Sequence, residues 1–541
     1  MSAHRLSKPY RLMWNEDGGT LSFYNSPMTP DQVAQAHFGF LEGTPVDAYM
    51  AALGNCCGYT TMYPTAVHGM EFIVDRLQKA KGVASDKGVS LWRYAENVRL
   101  LHQAGHDVLD LLRREARRLN IAFWFQLRMN DWHHGGPEGK LNLLASDFYA
   151  DHPEFLIGKE GAAGWPDGWA NSMALFQDYA HPEVRQLRLD LVAEACSRYD
   201  VDGFEYDFMR CPGYFKFGRE QANLPVMTDF VRKTRAILDR IGAKRNRPLG
   251  LSVRVPNTVE GARRLGLDVP AWIDEHLVDI VVPSTFFNAD LEEDVSEWVE
   301  LARGRGVRIN PAIEEGYQAG HTGGLVRCFY NPPVMLPLSI EMAHAIAARH
   351  WANGADGLYL FNWFGTAATY NLDNRSALDN IGDPLRLRHT DKRYVVMRYD
   401  GSCPNCLPQQ RQLSAALTSD PTTITIDVAD DLPDAADRLR AARLSIHLTN
   451  LTVADALEVV LNGQALACDN PVASGAYSPT DRFWQHYDLM PTLPRKGRNE
   501  ITLRLARRNP DLADLPVELQ DVELELLYNY PNGRWLGLPS H

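Results

Sequence analysis

The chain has 541 residues, 45% hydrophobic and 23% charged, with 40 Gly and 32 Pro, an ordinary globular composition that excludes collagen-like and low-complexity polymers. Lys and Arg number 55 against 68 Asp and Glu, a formal charge of −13, so nucleic acid is not an expected partner. At roughly 100–200 residues per domain the length allows two to four domains, or fewer if one is a large barrel.

The opening residues, MSAHRLSKPYRLMWNEDGG, hold no apolar stretch of signal-peptide length, and nowhere is there an uncharged run long enough to cross a bilayer. A soluble, cytoplasmic protein without a membrane partner is the expectation. Eight Cys, at 56, 57, 196, 211, 328, 403, 406 and 468, are too scattered for a disulfide scaffold and fit a reducing compartment.

Along the chain, short apolar runs alternate with longer amphipathic stretches up to about residue 365. The expected strands are 11–15, 46–53, 121–130, 201–209, 249–255, 278–285, 307–315 and 357–363. Helical patterns at 92–119, 184–199, 224–241, 291–303 and 340–351 lie between them. Eight strands with helical crossovers predict a (β/α)8 TIM barrel, and the absence of a Gly-rich phosphate fingerprint speaks against a dinucleotide fold. After residue 385 the period changes to two, with strands at 422–429, 442–450, 456–466, 484–490, 499–507 and 517–529. The Asn462-Gly463 pair marks a two-residue hairpin turn within the third of these. The reading is a barrel over 1–385 followed by a C-terminal antiparallel β-sandwich over 386–541.

Functional groups of such a barrel stand at the C-terminal ends of its strands. In the fourth strand, Gly203-Phe204-Glu205-Tyr206-Asp207, alternation puts Glu205 and Asp207 on the inward face, while Asp202 falls on the other parity and reads as a turn or cap contact. In the seventh, apolar Val307, Ile309, Pro311 and Ile313 should face the helices, which turns Arg308, Asn310, Ala312 and Glu314 inward and favours Glu314 over Glu315. Arg128 and Asn130 on strand three and Arg254 on strand five share that inward parity. An adjacent guanidinium favours an ionised carboxylate, and Arg254 is also readable as a structural partner of Glu205.

The HPEVR run at 181–185 leading into YDVDGFEYDFMRCP at 199–212, preceded by DHPEFL at 151–156 and IAFWFQLRMN at 121–130, resembles the corresponding stretch of the glycoside hydrolase-like family 10 proteins. The resemblance covers roughly residues 120–215 and implies a barrel glycosidase with Asp207 at the position of the catalytic aspartate. Glu205 stands where that family usually has His or another polar residue, and Phe208 where a second Asp is frequent, which leaves the sugar open.

A glycosidase needs a second carboxyl group, about 5–5.5 Å away for retention or about 6.5–9.5 Å for inversion. Glu314 is the expected acid, with Glu205 as rival or as a positioning group. Sugar sites combine aromatic platforms with polar groups; Tyr63, Trp132, Trp165, Trp169 and Trp363 are candidate platforms, and Asn15 with Glu16 and Asp17, His133 and Asn362 are candidate hydroxyl contacts. The Asp131–His134 run could supply metal ligands, but strand one carries no His, so neither a catalytic metal nor another cofactor is expected, and His133 or His134 reads more readily as a substrate contact. Cys403 and Cys406 read as a local turn, and Cys211 lacks an activating partner in the sequence. The expected function is hydrolysis of glycosidic bonds in an oligo- or polysaccharide. The alternatives are a non-catalytic carbohydrate-binding barrel and a metal-dependent isomerase or lyase on the same fold. The C-terminal domain is expected to serve packing or homo-oligomer formation.

Overall fold

The computed structural model describes residues 5–55, 59–79, 88–135, 141–166, 170–286, 288–318, 335–363, 374–398, 410–435, 437–468, 470–473 and 482–529. Trp169, Cys403 and Cys406 lie outside the described residues.

Strands β1 (Leu12–Asn15), β2 (Ala48–Ala52), β3 (Ala122–Arg128), β4 (Gly203–Asp207), β5 (Gly250–Pro256) and β6 (Ile280–Ser284) pair in parallel in chain order. Strand β7 comes in two pieces, Arg308–Ile309 against β6 and Ala312–Glu314 against β8 (Leu358–Phe361), and β8 returns to β1. The two pieces are one run of chain interrupted at Asn310-Pro311, where proline has no N–H for the ladder. Asn310 N donates to Val281 O and Tyr359 N to Pro311 O, so the ladder closes on itself as a (β/α)8 barrel. Each strand is followed by helical crossover, principally α1 (Pro30–Phe38), α2 (Val108–Arg118), α3 (Pro182–Arg198), α4 (Leu224–Arg245), α5 (Val269–Asp274), α6 (Ser296–Ala302), α7 (Ile340–Ala352) and α8 (Asn374–Ile381).

The side-chain period of two sorts the strands into two cores. Leu251, Val253, Ile309, Ile313, Leu358 and Leu360 join the outer cluster beneath the helices. Met13, Met50, Trp124, Ile280, Val282, Ala312, Tyr359 and Phe361 form a separate cluster inside the barrel. Trp124 fills its floor because β4 and β5 both begin with glycine. A Cβ on Gly203 would come 2.3 Å from the Trp124 ring and one on Gly250 2.1 Å. Tyr10 meets the same indole edge-on at 5.4 Å, so the N-terminal segment plugs the barrel below and the open polar layer lies above.

The helical pattern at 92–119 resolves into two helices, Gly88–Gln103 and Val108–Arg118. Gly105 at φ 84° ends the first, and the Asp107 side chain caps the second. The expected helix at 291–303 begins only at Ser296, because residues 290–293 are drawn into buried polar contacts described below.

The C-terminal region forms two antiparallel sheets. One holds β9 (Lys392–Val396), β10 (Ala415–Leu417), β12 (Leu439–Thr449), β15 (Asn470–Ala473), β16 (Arg482–Asp488) and β18 (Val517–Tyr528); the other holds β11 (Thr422–Val428), β13 (Ala456–Leu461), β14 (Gln464–Leu466) and β17 (Gly497–Arg507). Ile424, Leu444, Leu461, Ile501 and Leu524 from both sheets share one apolar cluster, the two-layer packing expected of a β-sandwich. Asn462 and Gly463, both at positive φ, make the hairpin turn between β13 and β14. The strands at 392–396, 415–417 and 470–473 were not legible from the sequence pattern. Among the described residues no helix is long and apolar enough to cross a membrane.

Candidate active site

Above the apolar floor, the inward positions of β4, β5 and β7 turn charged. Glu205 and Asp207 are fully buried, and Glu314 and Arg254 are nearly so. Asp207 sits beside Arg254 in the β4–β5 register. Its two oxygens each lie 3.2 Å from Nη1 of Arg254, and one accepts from the backbone N–H of Met209 at 2.8 Å. Nη2 of the same guanidinium donates to Glu314 at 2.7 Å, and Nε donates to Ser284 Oγ at 3.1 Å. Phe361 lies flat beneath it, with the guanidinium carbon 3.6 Å from the ring centroid. Arg254 is thus held by four strands and itself joins the carboxyl at the end of β4 to the one at the end of β7.

Glu205 belongs to a second network. It accepts from the Tyr359 hydroxyl at 2.5 Å and from Ser252 Oγ at 2.8 Å, and Asn15 Nδ2 donates to that same Tyr359 oxygen at 2.6 Å. The reading of Arg254 as partner of Glu205 is therefore corrected: its ion pairs go to Asp207 and Glu314. Burial pushes Glu205 up to about 7, with the Tyr359 and Ser252 hydrogen bonds and the Arg254 charge holding it down and Asp207 pushing it further up. Glu314 is likewise pushed up to about 7 by burial, against the opposing pull of Arg254 and Arg210 and with the aid of Asp207. Both glutamates are therefore in exchange between acid and base forms near neutral pH.

A third cluster borders them. Arg128 pairs with Asp17 and stands 3.5 Å from Asp131; burial and the neighbouring Arg210 bring it down to about 10. Asp131 is fully buried, yet the charges of His133, Arg210 and Arg128 hold it well below the usual carboxylate range. His133 Nδ1 meets Asp131, and Arg210 Nη2 donates to His133 Nε2 at 3.0 Å.

Asn15, Glu205, Asp207, Arg254 and Glu314 are brought together, with Arg128 and His133 at their border. Other expected contacts stand elsewhere. Tyr63 donates to Glu194 of α3 at 3.0 Å and packs edge-on against Tyr199, which places it in the helical layer. Asn130 braces two loops, bonding Gln177 N, Gln177 O and Gly213 O. Trp363 donates its indole N–H to Ile313 O at 2.9 Å and joins the outer core. The cause is Asn362, whose φ of 58° reverses the side-chain alternation at the end of β8. Asn362 itself is partly buried at that strand end. Trp132 stacks on Phe176, centroids 6.5 Å apart, against a loop cluster that includes Trp165 and Cys211. Burial raises the Cys211 thiol well above its ordinary value. His134 is enclosed by Tyr59 and Tyr149, and burial brings it down to about 4.

Tyr359, Ser252 and Arg210 were missed. Parity with Phe361 was the available signal for Tyr359, and adjacency to the strand-four motif was the signal for Arg210. Glu293 was also missed: it is buried on the loop after β6, raised well above the usual range by burial, and feels the charge of Glu314. A cleft of about 350 Å³ lined by Trp351, Pro384, Lys392 and Asp430, and another of about 320 Å³ beside Tyr24 and Gln32, touch none of these acids.

No curated protein matches the sequence. Among solved structures, the chain is similar to the multi-modular chitinase ChiW from Paenibacillus sp. str. FPU-7, with 9% identity over 92% of this chain and 52% of that one and a TM-score of 0.40. It is also similar to a family GH18 chitinase from Chromobacterium violaceum, with 10% identity over 93% and 89% and a TM-score of 0.36. A third is a GH27 β-L-arabinopyranosidase from Geobacillus stearothermophilus, with 13% identity over 93% and 98% and a TM-score of 0.36. The chain spans about half the length of the first of these. Residues 85–234, which carry β3, β4 and the helix between them, match the model of the family Glycosyl hydrolase-like 10.

Proposed function

We propose that this protein is a glycoside hydrolase, with Asp207 acting at the anomeric centre and Glu314 as the acid that protonates the departing oxygen. The observation that carries this reading is the Arg254 bridge: one guanidinium fixes two buried carboxyl groups from two separate strands, at 3.2 Å and 2.7 Å. Glu314, raised to about 7 by burial, keeps a proton to give at neutral pH, as a general acid requires. Asp207, oriented by Arg254 and by Met209 N–H, presents an oxygen either to the sugar carbon or to a water. Glu205 does not touch that pair directly; it acts through Tyr359 and Asn15, which set the floor of the polar layer. The family match over β3 and β4 supports the same chemistry for the segment that carries Asp207.

The C-terminal sheets, on this reading, are a support for the catalytic unit of residues 1–385 rather than a second catalytic unit. The test is turnover of a panel of aryl glycosides by wild type and Asp207→Asn. A loss of about a thousandfold or more with an unchanged fold is expected; near-normal turnover in the variant removes Asp207 from the mechanism.

A second reading has its own observation. Arg254 already neutralises both carboxyls, and all three side chains are almost wholly buried, as in a structural ion-pair brace. A carbohydrate-binding barrel without catalysis would use them so. Calorimetric binding of oligosaccharides without release of reducing ends would favour it.

A further inference from the structure

Surface apolar residues scattered singly are ordinary, but Phe217 is not isolated. It lies on the loop that leaves the end of β4, ten residues beyond Asp207, and is 52% exposed. Its ring packs against Gly164, where an added Cβ would come 2.0 Å from the ring. Its own N–H donates to Gly161 O at 2.8 Å. The Trp165 ring meets it at 6.4 Å and 83° in a T-shaped contact. The ring is therefore held against Gly164 and Trp165 while about half of its surface stays exposed.

The packing continues inward. Gly213 is wedged between Trp165 and Phe176, at 3.1 Å and 3.3 Å from where its Cβ would be. Phe176 stacks on Trp132, and Trp132 adjoins His133, which contacts Arg210 beside the acids. A row of aromatic rings, interrupted at Gly213, thus runs from the border of the carboxyl pair to Phe217. Only its outermost member presents more than half of its surface to solvent.

We infer that Phe217 is an outer sugar-binding platform, and that the substrate is an oligosaccharide chain long enough to reach from the acids to this ring. Carbohydrate rings offer an apolar C–H face that stacks on an aromatic side chain, and rigid preorganisation of the platform removes the ordering cost of binding. The inference rests on the carbohydrate reading of the same site and narrows it from glycosides in general to chains.

The test is calorimetry of malto-, cello- and chito-oligosaccharides of increasing length with Asp207→Asn and with Asp207→Asn carrying Phe217→Ala. Affinity should rise with chain length in the first protein. In the second, the longer members should lose roughly three- to tenfold, while the shortest bind alike. Gly164→Ala, which displaces the ring without removing it, should reproduce the loss, and Phe217→Tyr should restore most of it. Equal affinities of the two proteins at every length overturn the platform. Absence of binding by any oligomer, with wild type still cleaving an aryl monosaccharide glycoside, overturns the platform and leaves the glycosidase reading in place. Absence of both binding and cleavage overturns both.

Discussion

Nη2 of Arg254 stands 2.7 Å from Oε1 of Glu314, across the barrel from the strand that carries the arginine's other partner, Asp207. Both carboxyls were drawn out of water during folding, and the guanidinium is what they received in return. Arg254→Met keeps the volume and removes the charge. Breaking a buried pair by deleting one partner costs about 3–5 kcal/mol, and here two acids lose theirs. The expected result in urea unfolding is a loss of that order at pH 8. At pH 5 the loss should be smaller, because Glu314 then carries a proton and needs no counter-ion.

The glutamates also set a pH dependence for the wild type. Glu205 and Glu314 are raised to about 7 in the folded protein, whereas an unfolded Glu titrates near 4.3. The folded state therefore binds more protons than the unfolded state between those values, and stability falls as pH rises across that window. The stabilising contribution is fully present below about pH 4.3 and is gone above about pH 7, with at most about 4 kcal/mol per group. Denaturant midpoints measured between pH 4 and pH 8 should show this slope. Glu205→Gln and Glu314→Gln should each flatten part of it.

Catalytic pH profiles separate the two glutamates. If Glu314 is the acid, kcat/KM should fall above about pH 7, where the group loses its proton. Glu314→Gln should remove that limb and slow substrates with poor leaving groups by roughly a hundredfold or more, while activated dinitrophenyl glycosides, which need no protonation, keep most of their rate. Glu205→Gln should retain the limb. The opposite pattern would transfer the acid role to Glu205.

Much of this site could be read from alternation alone. Glu205, Asp207, Arg254 and Glu314 all point inward as their strand parities require, because β-strands inside a closed barrel have only two faces. Parity says which way a side chain points but not which neighbour it reaches, and so Arg254 was open to pairing with Glu205 instead of Glu314. Tyr359 stayed hidden because the run around it reads as uniformly apolar, and its hydroxyl gains meaning only when Glu205 arrives across the barrel. Trp363 followed the alternation on paper, but one left-handed residue, Asn362, sends it to the other side. Tyr63 was chosen by residue type near a strand end and Asn130 by inward parity; loop packing, which no local period encodes, assigned them to Glu194 and to Gln177. The short strands at 392–396, 415–417 and 470–473 are defined by their partner strands more than by their own residues.

Arg411 leads the contacts by which the C-terminal domain reaches the active face. Arg411 Nη2 pairs with Asp290 at 2.7 Å and Nη1 with Glu292 at 3.3 Å, and the adjacent Gln412 and Met397 N–H also bond Glu292. From the barrel side, Arg349 of α7 holds the carbonyls of Leu291 and Glu292 at 2.7 Å and 2.9 Å. The clamped loop follows β6, and Ala289 N at its start donates to Gly316 O at 2.7 Å, two residues beyond Glu314. Arg411→Ala leaves Asp290 buried without its cation, a change expected to cost about 3–5 kcal/mol and to lower the thermal midpoint. It should also loosen the end of β7, so hydrogen exchange at residues 312–316 should quicken and kcat should fall more than KM rises. Lysine at the same position keeps the charge but not the fork that spans two carboxylates, and should recover only part of each effect. Unchanged exchange at those residues would confine Arg411 to holding the two domains together.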